Sequence, residues 1–310
     1  MHSNSTLPVG RGILYVLVAA VAWGTGGAVA TILYDTSGMG PIAVSFWRFA
    51  IAVPLLGAVH LARRRARWTP RPGLRQVVIT GVGLAVYQTA YFASVSYAGL
   101  AVATVVTLGA GPILIAVGAR LTTGEQLGRG GLVTTGLALA GLVLLVGGGG
   151  ASTGSAPTLG LACALLSATG YATITLLNRG ARQATPSTTL GAFAVGLLCL
   201  LPLALLEGAL PTAGNPAEVY LSLAYLGAVP TALAYALFFA GLSVVRANTA
   251  AVLALAEPVA AAVIAVLWLD ERLTPAATAG SLLLAAAVVA LTLIEGRATR
   301  PVGPALSRST

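Results

Sequence analysis

Ten runs of mainly apolar residues, each about 20 long, follow one another with almost nothing between them. They lie near residues 12–34, 41–61, 74–97, 100–121, 128–147, 158–178, 187–206, 217–241, 248–270 and 274–294. A helix rises about 1.5 Å per residue, so about 20 apolar residues cross the hydrocarbon of a bilayer. Strands that span a membrane are about half as long and alternate in polarity, whereas these runs are apolar on every side. Only 8% of the 310 residues are charged, against about a quarter in a soluble domain. That is too few to cover a chain of this size, so lipid must be the solvent for most of the surface. The expected fold is all-α and integral to the membrane, with ten transmembrane helices joined as antiparallel hairpins by their short connections. The first run follows only His2 and Arg11 and is longer than the apolar core of a signal peptide, so it reads as the first span.

Charge orients the spans. All 17 basic residues are arginine. With the N-terminus in the cytoplasm, that side receives Arg11, the cluster Arg63, Arg64, Arg65, Arg67, Arg71 and Arg75, then Arg120, Arg129, Arg179, Arg182, Arg246, Arg297, Arg300 and Arg308. The outer loops receive Arg272 alone, and Arg48 falls within a span. This bias follows the positive-inside rule and supports an even number of spans with both termini cytoplasmic. The formal charge of +9 therefore reflects membrane orientation, and no nucleic-acid partner is expected.

The chain also repeats itself at 146–148 residues. Pro112 to Leu127 (PILIAVGARLTTGEQL) aligns without a gap to Pro258 to Leu273 (PVAAAVIAVLWLDERL), with 7 of 16 positions identical. Pro112/Pro258 and Glu125/Glu271 carry most of the weight, because apolar helices match easily by chance. The stretch 91–101 resembles 238–248, and Gly12 to Trp23 faces Gly160 to Tyr171. Each copy holds five spans, and an odd number forces the copies into opposite orientations. The expected organisation is a first five-helix repeat over 1–147, a linker at 148–157, a second repeat over 158–297 and a cytoplasmic tail at 298–310. Inverted repeats of this kind are the architecture of many secondary transporters, whose site lies near the midplane between the halves.

Several motifs carry a family resemblance. They are Trp23-Gly24-Thr25 in the first run, Pro41 and Arg48 in the second, and Pro112 followed by Gly124-Glu125-Gln126-Leu127. Glu257-Pro258 followed by Asp270-Glu271-Arg272-Leu273 completes the set. Together they resemble the drug/metabolite transporter superfamily, in its EamA-type branch, over about residues 12–294. The resemblance implies a ten-helix carrier of the plasma or inner membrane that moves amino acids, their derivatives or other small metabolites, often outward. It also implies a cavity lined by the first, third, fourth, sixth, eighth and ninth helices. The expected function is a secondary transporter working by alternating access, with protons as a candidate coupling ion. A multidrug or sugar-type carrier is the alternative. A membrane enzyme or a scaffold is the alternative of another class.

Glu257 is the foremost candidate for the substrate or ion site. It lies about 19 Å from the outer end of the ninth run. A carboxylate at that depth is costly unless it faces the bundle interior, water or a partner, and it would suit exchange of a proton or binding of an amino group. A neutral, hydrogen-bonded glutamate that only fixes packing is the plainer reading. Its repeat mate is Gly111, so the site would be asymmetric. Pro258 frees a carbonyl one turn earlier. Arg48 lies about 10 Å from the outer end of the second run, and so about 9 Å from Glu257 in depth. It could hold a carboxylate or serve as counter-ion to Glu257, or it could snorkel to the interface. Trp23, Tyr87, Gln88 and Tyr235 complete the candidate set, chosen from the polar and aromatic groups at membrane depth that also include Thr25, Tyr91, Thr104, Thr107, Tyr171 and Asn248. Glu125 and Glu271, at the ends of the fourth and ninth runs, are expected to fix structure, together with Pro112 and Pro258.

Other chemistries lack their residues. Cys163 and Cys199 sit inside apolar runs, His2 in a tail and His60 at a membrane edge, so neither a metal site nor a disulfide is expected. No metalloprotease motif, intramembrane aspartate pair or Ser/His dyad can be assembled. The Gly147–Gly150 run lacks the Lys of a phosphate loop. No enzyme activity and no cofactor are expected; the expected partners are the bilayer, a small-molecule substrate and protons, and the oligomeric state is left open.

Overall fold

The computed structural model of the chain describes residues 7–64, 73–98, 100–125, 128–147, 156–179, 186–268 and 274–298. Ten helices are long and apolar enough to cross a membrane. They are α1 (Val9–Ser37), α2 (Pro41–Arg64), α3 (Leu74–Ala98), α4 (Leu100–Thr123), α5 (Arg129–Gly147), α6 (Pro157–Asn178) and α7 (Pro186–Glu207). The last three are α8 (Pro216–Leu242), α9 (Ala247–Ala254 and Ala256–Trp268) and α10 (Pro275–Ala298). No strand occurs among the described residues. The arginine cluster 65–71, Glu271, the segment 148–155 of the expected linker and the tail from 299 onward lie outside the described residues.

Local sequence explains the helix ends. Asn215 accepts the Ala217 N–H at 3.1 Å and Pro216 follows at the first helical position, which starts α8. The Thr274–Pro275 pair does the same for α10, where the Ala277 N–H donates to Thr274 Oγ1 at 3.2 Å. Leucine and valine side chains stand exposed along the helices, among them Leu14, Ile113, Leu166, Leu198, Leu206, Leu282 and Val289. Such a surface is stable only against lipid.

The helices pack as an inverted pair of five-helix halves. In the first half α1 packs on α8 and α9; in the second α6 packs on α3 and α4. α2 pairs with α7, and α5 with α10. Every one of these pairs joins one half to the other, so neither half buries its interior alone. The main core cluster draws Val16 and Ala19 from α1, Phe49 and Ala52 from α2, and Leu84 from α3. Ile174, Phe193 and Phe238 join it from α6, α7 and α8.

Two helices depart from the uninterrupted form that the sequence suggested, each because of a proline. In α8 a wide π turn occupies Ala228–Leu233. Pro230 has no N–H for the Leu226 carbonyl; the Thr231 hydroxyl donates to that carbonyl instead, at 2.6 Å. The extra residue is thus satisfied by a side chain. In α9 the helix breaks at Leu255, whose N–H turns back to the Val252 carbonyl at 3.1 Å. Pro258 supplies no N–H for the Ala254 carbonyl, which is the physical cause. Its repeat mate Pro112 lies inside an unbroken α4, so the two prolines have different outcomes.

The end of the bundle at which α1 begins is called the terminal face below, and its opposite the far face. At the far face, Thr212 and Ala213 N–H groups donate to the Ser37 carbonyl at 3.0 and 3.1 Å, and Trp47 Nε1 donates to the Ala209 carbonyl at 2.7 Å. Glu207, at the end of α7, accepts the Ala43 N–H at 2.6 Å and so caps the start of α2. Glu207→Ala should therefore lower stability by about 1 kcal/mol, read as a lower midpoint of thermal denaturation in detergent. An unchanged midpoint would show that this cap contributes nothing.

Candidate functional site

Where α1 crosses α9, Gly24 lets two backbones touch. A Cβ at Gly24 would lie 2.7 Å from the Glu257 carbonyl oxygen and 2.8 Å from Ala260 Cβ. This close approach, directly after the break at Leu255, fixes the backbone of Glu257 against α1 at Gly24, the residue that follows Trp23. At the matching crossing of α6 with α4 the roles are exchanged: Gly111 is the small residue, and a Cβ there would lie 3.2 Å from the Tyr171 ring. Trp23 and Tyr171 are 148 residues apart, as are Tyr87 and Tyr235. The site is therefore symmetric in its aromatic residues and asymmetric in its charge.

The aromatic rings form one belt through both halves. Tyr87 meets Tyr171 at 5.8 Å between centroids, Tyr171 meets Phe238 at 6.3 Å, and Phe238 meets Trp23 at 5.2 Å. Trp23 then meets Tyr235 at 5.1 Å, Tyr235 meets Phe193 at 5.2 Å, and Phe193 meets Phe49 at 4.7 Å. Tyr171 and Tyr235 are buried. The Glu257 carboxylate acts electrostatically on Tyr87, Tyr91, Tyr171 and Tyr235, so it faces the belt rather than lipid.

Arg48 reaches the same region from α2. Its Nε donates to Thr231 Oγ1 at 3.0 Å. Its own carbonyl lies against Gly227, 3.3 Å from where a Cβ would stand, so the side chain runs inward about one helical turn along α8. The proline-induced π turn thus presents the hydroxyl that holds the guanidinium. Arg48 and Glu257 influence each other electrostatically, and both influence Tyr235, yet no ion pair joins them. Among the described residues the ion pairs are those of Glu125 with Arg179 and Arg246.

Further polar groups are buried within the spans. Gln88 is buried, and its Nε2 finds no hydrogen-bond partner in the protein; the same holds for Trp23 Nε1 and Asn248 Oδ1. A buried, unpartnered donor costs free energy unless something polar visits it. Tyr91 Oη meets Thr104 Oγ1 at 3.2 Å, while Thr107 donates to the Ala164 carbonyl at 3.3 Å and Thr25 is bonded to Tyr225 Oη at 2.7 Å. The last two are engaged in helix contacts.

Of the sequence candidates, Glu257, Trp23, Tyr87 and Tyr235 come together and Arg48 approaches them. Gln88 lies on α3, one residue beyond Tyr87. Pro258 shapes the site by breaking α9, and Pro112 sits one residue beyond Gly111. Glu125 stands apart at the terminal face. Sequence reasoning missed Phe238, which bridges the halves of the belt, and Thr231, which holds Arg48. The Pro230–Thr231 pair was a legible signal for the second, since a hydroxyl after an intrahelical proline can take up the orphan carbonyl. Among the described residues no cluster of His, Cys, Asp and Glu could hold a metal ion.

Comparison with known proteins identifies the family. The sequence model of the EamA-like transporter family matches residues 10–147 and again residues 158–293, one match per half. The chain is 30% identical over 274 residues to the uncharacterized transporter YwfM of Bacillus subtilis, covering 86% of this chain and 88% of that protein. It is 25% identical over 299 residues to the uncharacterized inner membrane transporter YicL of Salmonella typhimurium, covering 94% and 98%. A crystal structure of a protein 22% identical superposes with a TM-score of 0.79, covering 93% of this chain and 99% of that one; this likeness shows the fold. A multi-pass membrane protein with two inverted five-helix halves, matched twice by one family along nearly its whole length, is a membrane transporter: the chain belongs to the EamA-like transporter family, within the drug/metabolite transporter superfamily.

Proposed function

We propose that this transporter exports small zwitterionic metabolites, amino acids first, by alternating access, with proton exchange at Glu257. One observation carries the reading: a carboxylate and a guanidinium of opposite charge share a layer inside the spans, within electrostatic range and unpaired. A solute with an ammonium and a carboxylate completes both. Glu257 takes the ammonium group, and a proton when the solute has left. Arg48 takes the carboxylate. Trp23 and Tyr235 flank the ammonium through their ring faces, while Tyr87 and Gln88 orient the solute from α3. The two halves, residues 1–147 and 158–297, are the units that rock about this layer. The arginine bias along the sequence supports cytoplasmic termini, and the inner-membrane relative supports residence in the cell membrane.

The aromatic belt also favours a second reading, an organic-cation carrier that uses Glu257 without Arg48. Counterflow in proteoliposomes with a panel of radiolabelled amino acids and tetraphenylphosphonium separates the two. Amino-acid counterflow lost in Arg48→Gln supports the zwitterion reading. Tetraphenylphosphonium counterflow retained in Arg48→Gln, with none for amino acids in the unsubstituted protein, overturns it.

A further inference from the structure

At the terminal face one carboxylate ties the two halves together. Glu125, just beyond α4 in the first half, forms an ion pair with Arg179, the residue that ends α6 in the second. Its other oxygen lies 3.5 Å from Nε of Arg246, the residue that precedes α9. Arg179 Nη1 also donates to Thr123 Oγ1 at 3.5 Å, so the end of α4 is held twice. The Glu125 and Arg179 side chains are 20% and 23% exposed and that of Arg246 is 62% exposed, so water borders the cluster. The helices it ties are those that carry Gly111, Tyr171 and Glu257 around the central site. Opening the bundle from this face requires α4 to part from α6 and α9, and therefore requires the carboxylate to leave both guanidinium groups.

The far face is held differently. Among the described residues the ties there include the Ser37 carbonyl with Thr212 and Ala213, Trp47 with the Ala209 carbonyl, the Glu207 cap on Ala43, and the Ala156 N–H with the Tyr97 carbonyl. All of these are hydrogen bonds with a backbone partner, and among the described residues none joins two full charges. Ion pairs bordering water weaken as salt screens them, whereas hydrogen bonds to backbone groups respond little.

We infer that Glu125, Arg179 and Arg246 are gate residues of the transport cycle, an ionic latch that closes the terminal face and that salt loosens. This rests on the alternating-access part of the reading above and on none of its cargo assignments.

The test needs no cargo. In a Cys163→Ala, Cys199→Ala background, Gln88→Cys places a reporter thiol next to Tyr87 of the aromatic belt, where the Gln88 Nε2 has no partner to lose. Its modification by the impermeant cation MTSET is timed from each face of oriented proteoliposomes. Glu125→Gln should raise the terminal-face rate about threefold to tenfold and leave the far-face rate within about twofold. Raising sodium chloride from about 0.05 M to about 0.5 M should raise the terminal-face rate of the unlatched variant no further, while raising that of the latched protein. Exchanging the charges, Glu125→Arg with Arg179→Glu, should bring the rate back toward its starting value. An unchanged terminal-face rate in Glu125→Gln overturns the latch, and so do equal rises from both faces, which mark a loosened fold. Loss of the Glu257-dependent counterflow would leave these rates as they are, so the gate and the cargo reading fail separately.

Discussion

Glu257→Gln should reduce transport of the cargo about a hundredfold and leave whatever transport remains insensitive to pH. Glutamine keeps the shape of the side chain and its capacity for hydrogen bonds, so a residue that served packing alone would tolerate the change. What it removes is the negative charge and the exchangeable proton. An ammonium group facing the neutral amide would lose its counter-charge in a low-dielectric layer, which costs about 3 kcal/mol, or about a hundredfold in affinity. The guanidinium of Arg48 would meanwhile lose the carboxylate on which it acts. Counterflow in proteoliposomes, measured across pH for both proteins, checks the result. Transport by Glu257→Gln within about twofold of normal, with its pH profile unaltered, would remove Glu257 from the mechanism. Because Gly24 touches the backbone carbonyl of Glu257 and not its side chain, the substitution should leave the helix crossing intact.

Gly280→Val should disrupt the bundle more severely than any change at the central site. α5 and α10 cross where Gly280 faces the backbone of Gly141, Leu144 and Leu145. A Cβ at Gly280 would stand 2.6 Å from the Gly141 carbonyl oxygen and 2.8 Å from the Leu144 carbonyl carbon. No rotamer can relieve a clash with backbone, so the helices must separate and lose the packing of Leu142, Leu145, Leu284 and Leu291. Helices in lipid associate through such close contact, with no hydrophobic drive to reunite them. The expected loss is about 3 kcal/mol or more. Gly136→Ala on α5 is the control, since nothing stands within 4 Å of its Cβ position; that change should be neutral or slightly stabilising. Thermal denaturation in detergent checks both. Equal midpoints for the two variants would mean that the α5–α10 crossing carries no stability.

These two predictions draw on different levels of information. Glu257 was legible in the sequence, because a carboxylate in an apolar run of 20 residues is anomalous whatever the fold. So was Arg48. Gly280 was not legible: it is one of 38 glycines, and nothing in the sequence separates it from Gly136. Glu125 lies between these cases. Its repetition as Glu271 marked it as important, but its partners Arg179 and Arg246 read only as orientation charges until the fold brought three loops to one place. Thr231 and Phe238 were hidden for a related reason. In a soluble protein an amphipathic stripe would have indicated which face of each helix is buried. Here both lipid and core are apolar, so inward and outward faces look alike.

The sequence by itself determined the number of spans, the bias of their ends and the repeat, because each depends on hydropathy or charge counted along the chain. An odd number of spans per copy then dictated the inversion. Only the tertiary structure decided which residues meet. Every strong helix pair joins residues from opposite halves, and those encounters are set by close packing of small residues against backbone. That packing put Gly24 against the Glu257 carbonyl and gathered Glu125 with its two arginines, while prolines broke α9 at Leu255 and turned Thr231 toward Arg48.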